Sequence, residues 1–406
     1  MDRNDKPTVV LAFSGGLDTS WCAAWLSGEM KMNVHSVVVN TGGFSSEELA
    51  GIEERARKLG VVQHVAIDAQ EEFYDRCIRY LIYGNVLRNH TYPLSVSAER
   101  LFQAVRIAEY ARDIGADYVA HGSTGAGNDQ VRFDMIFQVL CPDARILTPI
   151  RDQKLTRRET TEYLQKQGVE IEWSRSKYSI NKGLWGTSVG GEETLTSHLP
   201  LPEDAWPTQV TAEEPQTISL HFEKGAISGI NGVAMSPVEA IRELDRIASP
   251  FGIGRDVHVG DTIIGIKGRV GFEAAAPLLL IKAHQLLEKH TLTKWQLYWK
   301  DQLGAWYGGF VHEALSQEPV LRDMEAFMEH SQERVTGEVE IELHPRRFVL
   351  NGVRSPYDLM NAGFGQYGEM NNAWSGEDVK GFTKIMANSL KVYESVGRAQ
   401  ENSGKE

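Results

Sequence analysis

Cysteine is scarce in this chain of 406 residues: only Cys22, Cys77 and Cys141 occur, an odd count with no C-x-x-C spacing. That excludes a disulfide framework and a cysteine zinc site, and it suits a reducing compartment. Basic charge is also in deficit, with a formal net charge of −13. Nucleic acids and anionic bilayers attract positive surfaces, so neither is expected as a partner. Long hydrophobic runs are missing too. The longest, Ala274 to Ile281, falls well short of the roughly 20 apolar residues that span a bilayer. The polar opening Met1-Asp2-Arg3-Asn4-Asp5-Lys6-Pro7 carries no signal-peptide pattern, so a cytoplasmic protein is expected. Internal repeats and low-complexity tracts are absent from the sequence, and its length predicts two or three globular domains.

What is present begins with an apolar run, Thr8 to Phe13, followed directly by Ser14-Gly15-Gly16-Leu17-Asp18-Thr19-Ser20. A strand, a glycine turn and a helix from Ser20 to Leu26 make a socket for an anion. The glycines let backbone approach a phosphate, and the helix presents unpaired N–H groups and its positive dipole end. Ser14, Thr19 and Ser20 add hydroxyl donors, and Asp18 is the one acid, suited to a phosphate-bound Mg²⁺. The loop has no lysine, so it is not the GxxxxGK[ST] loop. It looks like the SGGxD[ST] pyrophosphate loop of enzymes that split ATP into AMP and pyrophosphate.

Strand-like and helix-like segments alternate up to about residue 170. Strands are expected at 34–39, 61–67, 116–121 and 146–150, with helices at 46–59, 70–83 and 98–114. This predicts a doubly wound parallel sheet with ligands at the carboxyl ends of its strands. Beyond about 175 the alternation stops. A glycine-rich crossing (Gly183, Gly186, Gly190, Gly191) leads into strands at 217–222, 262–266, 338–343 and 348–350 and helices at 237–247 and 277–290. A last helix spans 381–395, followed by a frayed tail at 400–406. The expected division is therefore an ATP-binding α/β domain at 1–172, an α+β domain at 173–370 and a C-terminal helix and tail at 371–406.

Two further clusters follow predicted strands or open helices. His121-Gly122-Ser123-Thr124-Gly125-Ala126-Gly127-Asn128-Asp129-Gln130-Val131-Arg132 has three glycines to wrap a small ligand. Thr124, Asn128 and Asp129 can grip an ammonium and a carboxylate, and Arg132 offers a fork for a second carboxylate. A mobile loop with a helix cap at Asp129 is the plainer reading. Tyr92-Pro93-Leu94-Ser95-Val96-Ser97 precedes a long helix, where Ser97 suits either a ligand or a cap.

Together these segments resemble the argininosuccinate synthase family, which carries an AxSGGLDTS loop, a YPLxxS segment and an HGxTGxGNDQVRF loop. Tyr178-Ser179-Ile180, Gly186-Thr187-Ser188, Ser331 to Gly337 and Ser355-Pro356-Tyr357 are similar to other family segments. The resemblance implies ATP-dependent condensation of citrulline with aspartate through a citrullyl-AMP intermediate, within arginine biosynthesis, by a homotetramer. It places ATP on Ala12, Phe13, Ser14, Gly15, Gly16, Leu17, Asp18, Thr19, Ser20, Val39 and Gly122, and Mg²⁺ on Asp18 through the pyrophosphate. Aspartate falls to Thr124, Asn128 and Asp129; citrulline falls to Tyr92, Ser97, Asn128, Arg132, Ser179 and Ser188. No general base is evident, and Asp18 and Asp129 are the candidates for catalysis.

The departures from the family cluster where citrulline's ammonium should sit. Gly260 and Phe272 stand at the positions of a family glutamate and tyrosine, and Asn181-Lys182-Gly183 replaces an acidic-amide loop. Ala126 and Thr41-Gly42-Gly43 also differ. Taking a carboxylate from a desolvated ammonium costs roughly 2–5 kcal/mol. An N-acylated citrulline avoids that cost, with Gly260 making room for the acyl group and Lys182 pairing a succinyl carboxylate. Local misalignment, or compensation by a nearby acid such as Asp256 or Asp261, is the competing explanation. Two rival functions share the loop: a tRNA-modifying adenylating enzyme, disfavoured by the acidic charge and unpaired cysteines, and a non-catalytic nucleotide sensor.

Overall fold

A computed structural model describes residues 6–169, 177–361, 363, 365, 367–369 and 373–403. The expected boundaries at 172/173 and 370/371 and the last three residues of the tail lie outside the described residues. The chain forms two compact units, Met1–Tyr357 and Asp358–Glu406.

In the first unit, five parallel strands form one sheet: β1 (Thr8–Ala12), β2 (Asn33–Asn40), β3 (Gln63–Asp68), β4 (Tyr118–Ala120) and β5 (Arg145–Leu147). Their order is β3-β2-β1-β4-β5, so the direction of winding reverses between β1 and β4. Alternate residues of β1 explain why both faces are covered. Val10 and Ala12 join one core cluster, while Val9 and Leu11 join another on the opposite face. Helix α1 (Leu17–Gly28) follows β1; α2 (Ser95–Asp113) and α3 (Asp129–Leu140) flank β4.

Two antiparallel sheets complete this unit. The first is built from β6 (Ser179–Gly183), β7 (Gly186–Gly190), β11 (Arg255–Asp261) and β12 (Lys267–Glu273), in the order β11-β12-β7-β6. The second contains β8 (Gln216–Glu223), β9 (Ala226–Ile230), β10 (Val233–Ala234), β13 (Gly337–His344) and β14 (Arg347–Arg354), in the order β10-β9-β8-β13-β14. The α/β class with an added α+β region is therefore as expected, with local corrections. The glycine-rich crossing is the β6–β7 hairpin. The strand expected at 262–266 is instead the turn between β11 and β12, where Gly265 has φ +83° and Thr262 Oγ1 accepts from the Ile266 amide. Helix α4 (Lys294–His312) escaped the periodicity because Gly304, Gly308 and Gly309 interrupt it.

In the second unit the expected single helix is two, Gly376–Met386 and Asn388–Ser403. No helix among the described residues is long and apolar enough to cross a membrane.

Candidate active site

The first cavity opens where β1 and β4 diverge, at the carboxyl ends of the strands. Gly15 takes φ +72°, a left-handed turn that favours glycine. Gly16 then caps α1 with no side-chain acceptor, leaving first-turn amides directed at the cleft. At Gly122 a Cβ would stand 3.2 Å from the Thr19 nitrogen, so the loop after β4 abuts the start of α1 closely. The resulting cavity, about 420 Å³, is lined by Ala12, Phe13, Ser14, Gly16, Leu17, Asp18, Thr19, Val39 and Gly122. Gly15 and Ser20 shape the turn instead of lining it: the Gly15 carbonyl accepts from Arg55 and from Ser20 Oγ.

Sequence reasoning missed the cations of this cleft. Arg100 and Arg157 both line it, supplied by α2 and by the helix Arg157–Lys166. Burial pushes the Asp18 carboxyl above its ordinary range, and the Arg157 guanidinium pulls it back. No short-range signal reveals Arg157, because its role comes from folding a distant helix across the loop.

A second cavity, about 290 Å³, collects Tyr92, Ser97, Asn128, Asp129, Arg132 and Ser188. Leu94, at φ +63°, turns the chain sharply into α2. The Tyr92 hydroxyl accepts from the Val96 amide at 3.1 Å and from Ser95 Oγ at 3.3 Å, capping the helix from outside. Ser97 is therefore not the cap; it lies in the first turn. Nor does Asp129 cap α3, which it begins. Arg132 is buried and its fork is already engaged, with Nη1 on Asp129 at 2.9 Å and Nε and Nη2 on the His312 carbonyl at 3.3 and 3.2 Å. Asn128 Oδ1 accepts from the Ile263 amide at 2.9 Å, tying the loop to the β11–β12 turn. Thr124 and Ser179 are exposed and line neither cavity.

Asp129 lines both cavities. Its carboxylate meets Arg132 on one side and Arg100 Nε, at 3.6 Å, on the other. The two cavities thus share one wall.

Comparison with known proteins adds the family. The family model described as Arginosuccinate synthase N-terminal HUP domain matches residues 8–170, and that for the Arginosuccinate synthase C-terminal domain matches residues 178–393. The chain belongs to the argininosuccinate synthase family. With that family it is an ATP-dependent ligase that yields AMP and pyrophosphate. It is 39% identical to the argininosuccinate synthase of Methanocaldococcus jannaschii, covering 86% of this chain and 89% of that one. The corresponding figures are 37%, 96% and 98% for the protein of Dictyoglomus thermophilum. For that of Xanthomonas campestris they are 36%, 96% and 99%.

The structure corrects the reading of the departures from this argininosuccinate synthase pattern. Lys182 does not reach the second cavity: it alternates with Asn181 along β6, and Asn181 is the residue turned toward the nucleotide cleft. The Lys182 charge acts instead on Asp245. Phe272 is buried against the Tyr92 ring, 5.3 Å between centroids, and lines neither cavity. Gly260 does line the cavity, but a Cβ there would stand 2.6 Å from His258 Nε2. The imidazole occupies the space that a side chain at 260 would need. Asp256 is absent from the lining, whereas Asp261 is present, with Lys267 Nζ on its carboxylate at 2.7 Å.

Two other departures are a single contact. A Cβ on Gly43 would stand 2.2 Å from the Lys182 carbonyl, and one on Gly183 would stand 2.8 Å from Glu99 Oε2. Glu99 Oε1 in turn accepts from Thr41 Oγ1 at 2.5 Å. The loop after β2 and the β6–β7 hairpin therefore dock backbone to backbone over a buried carboxyl, which burial pushes upward.

Proposed function

We propose that this chain joins a citrulline-type ureido substrate to aspartate at the expense of ATP, as a step of arginine biosynthesis. In this reading the ureido oxygen attacks the α-phosphorus, and the bond from phosphorus to pyrophosphate breaks. The aspartate amine then attacks the ureido carbon and AMP leaves, giving the argininosuccinate-type product. The first-turn amides of α1, with Ser14 and Thr19, hold the departing pyrophosphate by fixed dipoles. The shared Asp129 wall carries the reading, because it brings a ureido group in the second cavity against the α-phosphate of a nucleotide in the first. Thr124, on the exposed loop, and Asn128 and Asp129 are assigned to aspartate.

Asp18 suits Mg²⁺ carried by the pyrophosphate. No cluster of three ligating side chains exists among the described residues, so phosphate oxygens would supply the remaining ligands. The metal would offset charge on the leaving group. Assembly as a homotetramer belongs to the same proposal.

The finer reading is an N-acylated substrate. Of the two carboxylates lining the second cavity, Asp129 is paired with Arg132 and assigned to aspartate, and Asp261 is paired with Lys267, so an ammonium on the ureido substrate finds no unpaired carboxylate in the lining. The reaction is tested by product analysis with Mg²⁺: AMP and pyrophosphate form only when both aspartate and a ureido substrate are present. Formation of ADP and orthophosphate would overturn the proposal, and product-free nucleotide binding would favour the sensor.

A further inference from the structure

Three ring nitrogens at one end of the second cavity have no partner: Nδ1 and Nε2 of His312 and Nδ1 of His258. Each of these side chains is 6% exposed. A buried polar group left bare costs about 1–3 kcal/mol, so these three leave bonding capacity that a bound group or a water can complete. The Tyr92 ring stacks on His258 at 5.0 Å between centroids and fixes its plane.

The charge around these imidazoles is positive. Arg269 lines the same cavity and donates to the backbone carbonyls of Glu193, Thr196 and Leu199. Arg88 lies close enough to both histidines to disfavour their charged forms, and its Nε is bare. The carboxylate nearest to it is Glu313, 3.9 Å away and half-exposed. Burial first, then Arg132, Arg88 and His258, push the His312 imidazole down to about 3. Each neutral imidazole offers one donor and one acceptor, and an ammonium that took an acceptor would meet like charge from Arg88 and Arg132. An anion meets donors it can satisfy.

We propose that His258 and His312 recognise a carboxylate at the end of an N-acyl group, so that the ureido substrate is acylated by a dicarboxylic acid. This rests on the condensation proposed above. It also moves acyl recognition from Lys182 to the imidazole pair.

The test measures AMP release by the full-length protein with ATP, aspartate, Mg²⁺ and one of citrulline, N-acetylcitrulline or N-succinylcitrulline. N-succinylcitrulline is expected to exceed each of the others in kcat/KM by about tenfold or more. His258→Gln and His312→Gln are each expected to raise KM for N-succinylcitrulline about ten- to hundredfold. KM for ATP and for N-acetylcitrulline should hold, which general damage to the fold would not allow. Thermal midpoints identify a variant that fails to fold, and the wild-type substrate ranking then decides. Equal or better use of citrulline or N-acetylcitrulline, or folded variants with an unchanged KM for the succinyl substrate, would overturn the inference alone. Release of AMP with none of the three would overturn the condensation reading beneath it.

Discussion

A histidine held neutral among cations makes folding sensitive to acid. His312 has an ordinary value of 6.5 and falls to about 3 in the fold. Below 6.5 the unfolded chain takes up a proton that the folded chain refuses. The stabilisation this residue provides is therefore complete above 6.5 and is lost as pH falls toward 3. One such site contributes a slope of at most about 1.4 kcal/mol per pH unit. His312→Gln is expected to flatten the acid limb by up to that slope, read from urea unfolding at several pH values between about 4 and 6.5. An unchanged limb would mean that His312 titrates normally in the folded protein.

Residues differ in how far the sequence reveals them. Ser14 to Ser20 is legible because one contiguous loop contains both the turn and its donors. Tyr92, Ser97 and Arg132 are legible as motif members, yet the helix-capping role of Tyr92 is not, since it depends on Leu94 adopting a left-handed turn. Arg157, His258 and His312 lie in unremarkable local sequence. They matter because the helix Arg157–Lys166, the β11–β12 hairpin and the end of α4 are brought to the two cavities by the fold, and no local period encodes that.

At the scale of elements, α4 shows how a helix poor in propensity is held by packing. A Cβ on Gly304 would stand 2.1 Å from the carbonyl oxygen of Gly84, which ends the helix Arg79–Tyr83. Backbone cannot move aside as a side-chain tip can. Gly304→Ala is expected to destabilise the protein by about 1–3 kcal/mol, seen as a lower denaturant midpoint at constant slope. Gly309 has nothing within 4 Å of its would-be Cβ, so Gly309→Ala should be neutral or stabilising by about 0.5–1 kcal/mol. Equal effects at the two positions would show that helix propensity, and not the close crossing, sets the requirement for glycine. The same crossing explains why α4 was hard to read: the residues that allow the approach are those that weaken a helical pattern.

For the molecule as a whole, the C-terminal unit carries a series of large apolar side chains on its helices. Phe382 is 62% exposed, Ile385 72%, Leu390 70% and Tyr393 78%. Patches of this kind mark association surfaces, consistent with the proposed assembly of identical copies. The double substitution Phe382→Asp and Tyr393→Asp is expected to lower the mass found by light scattering while the circular dichroism of the chain is retained. An unchanged mass would place the assembly contacts elsewhere.

Asp129 has a consequence beyond catalysis. With one carboxylate forming part of both cavities, a charge placed in either changes the potential felt in the other. Whatever factor the nucleotide applies to the dissociation constant of the ureido compound, the ureido compound must apply to that of the nucleotide. In the proposed reaction the two affinities are therefore reciprocal, and Asp129 is the side chain that both compartments share.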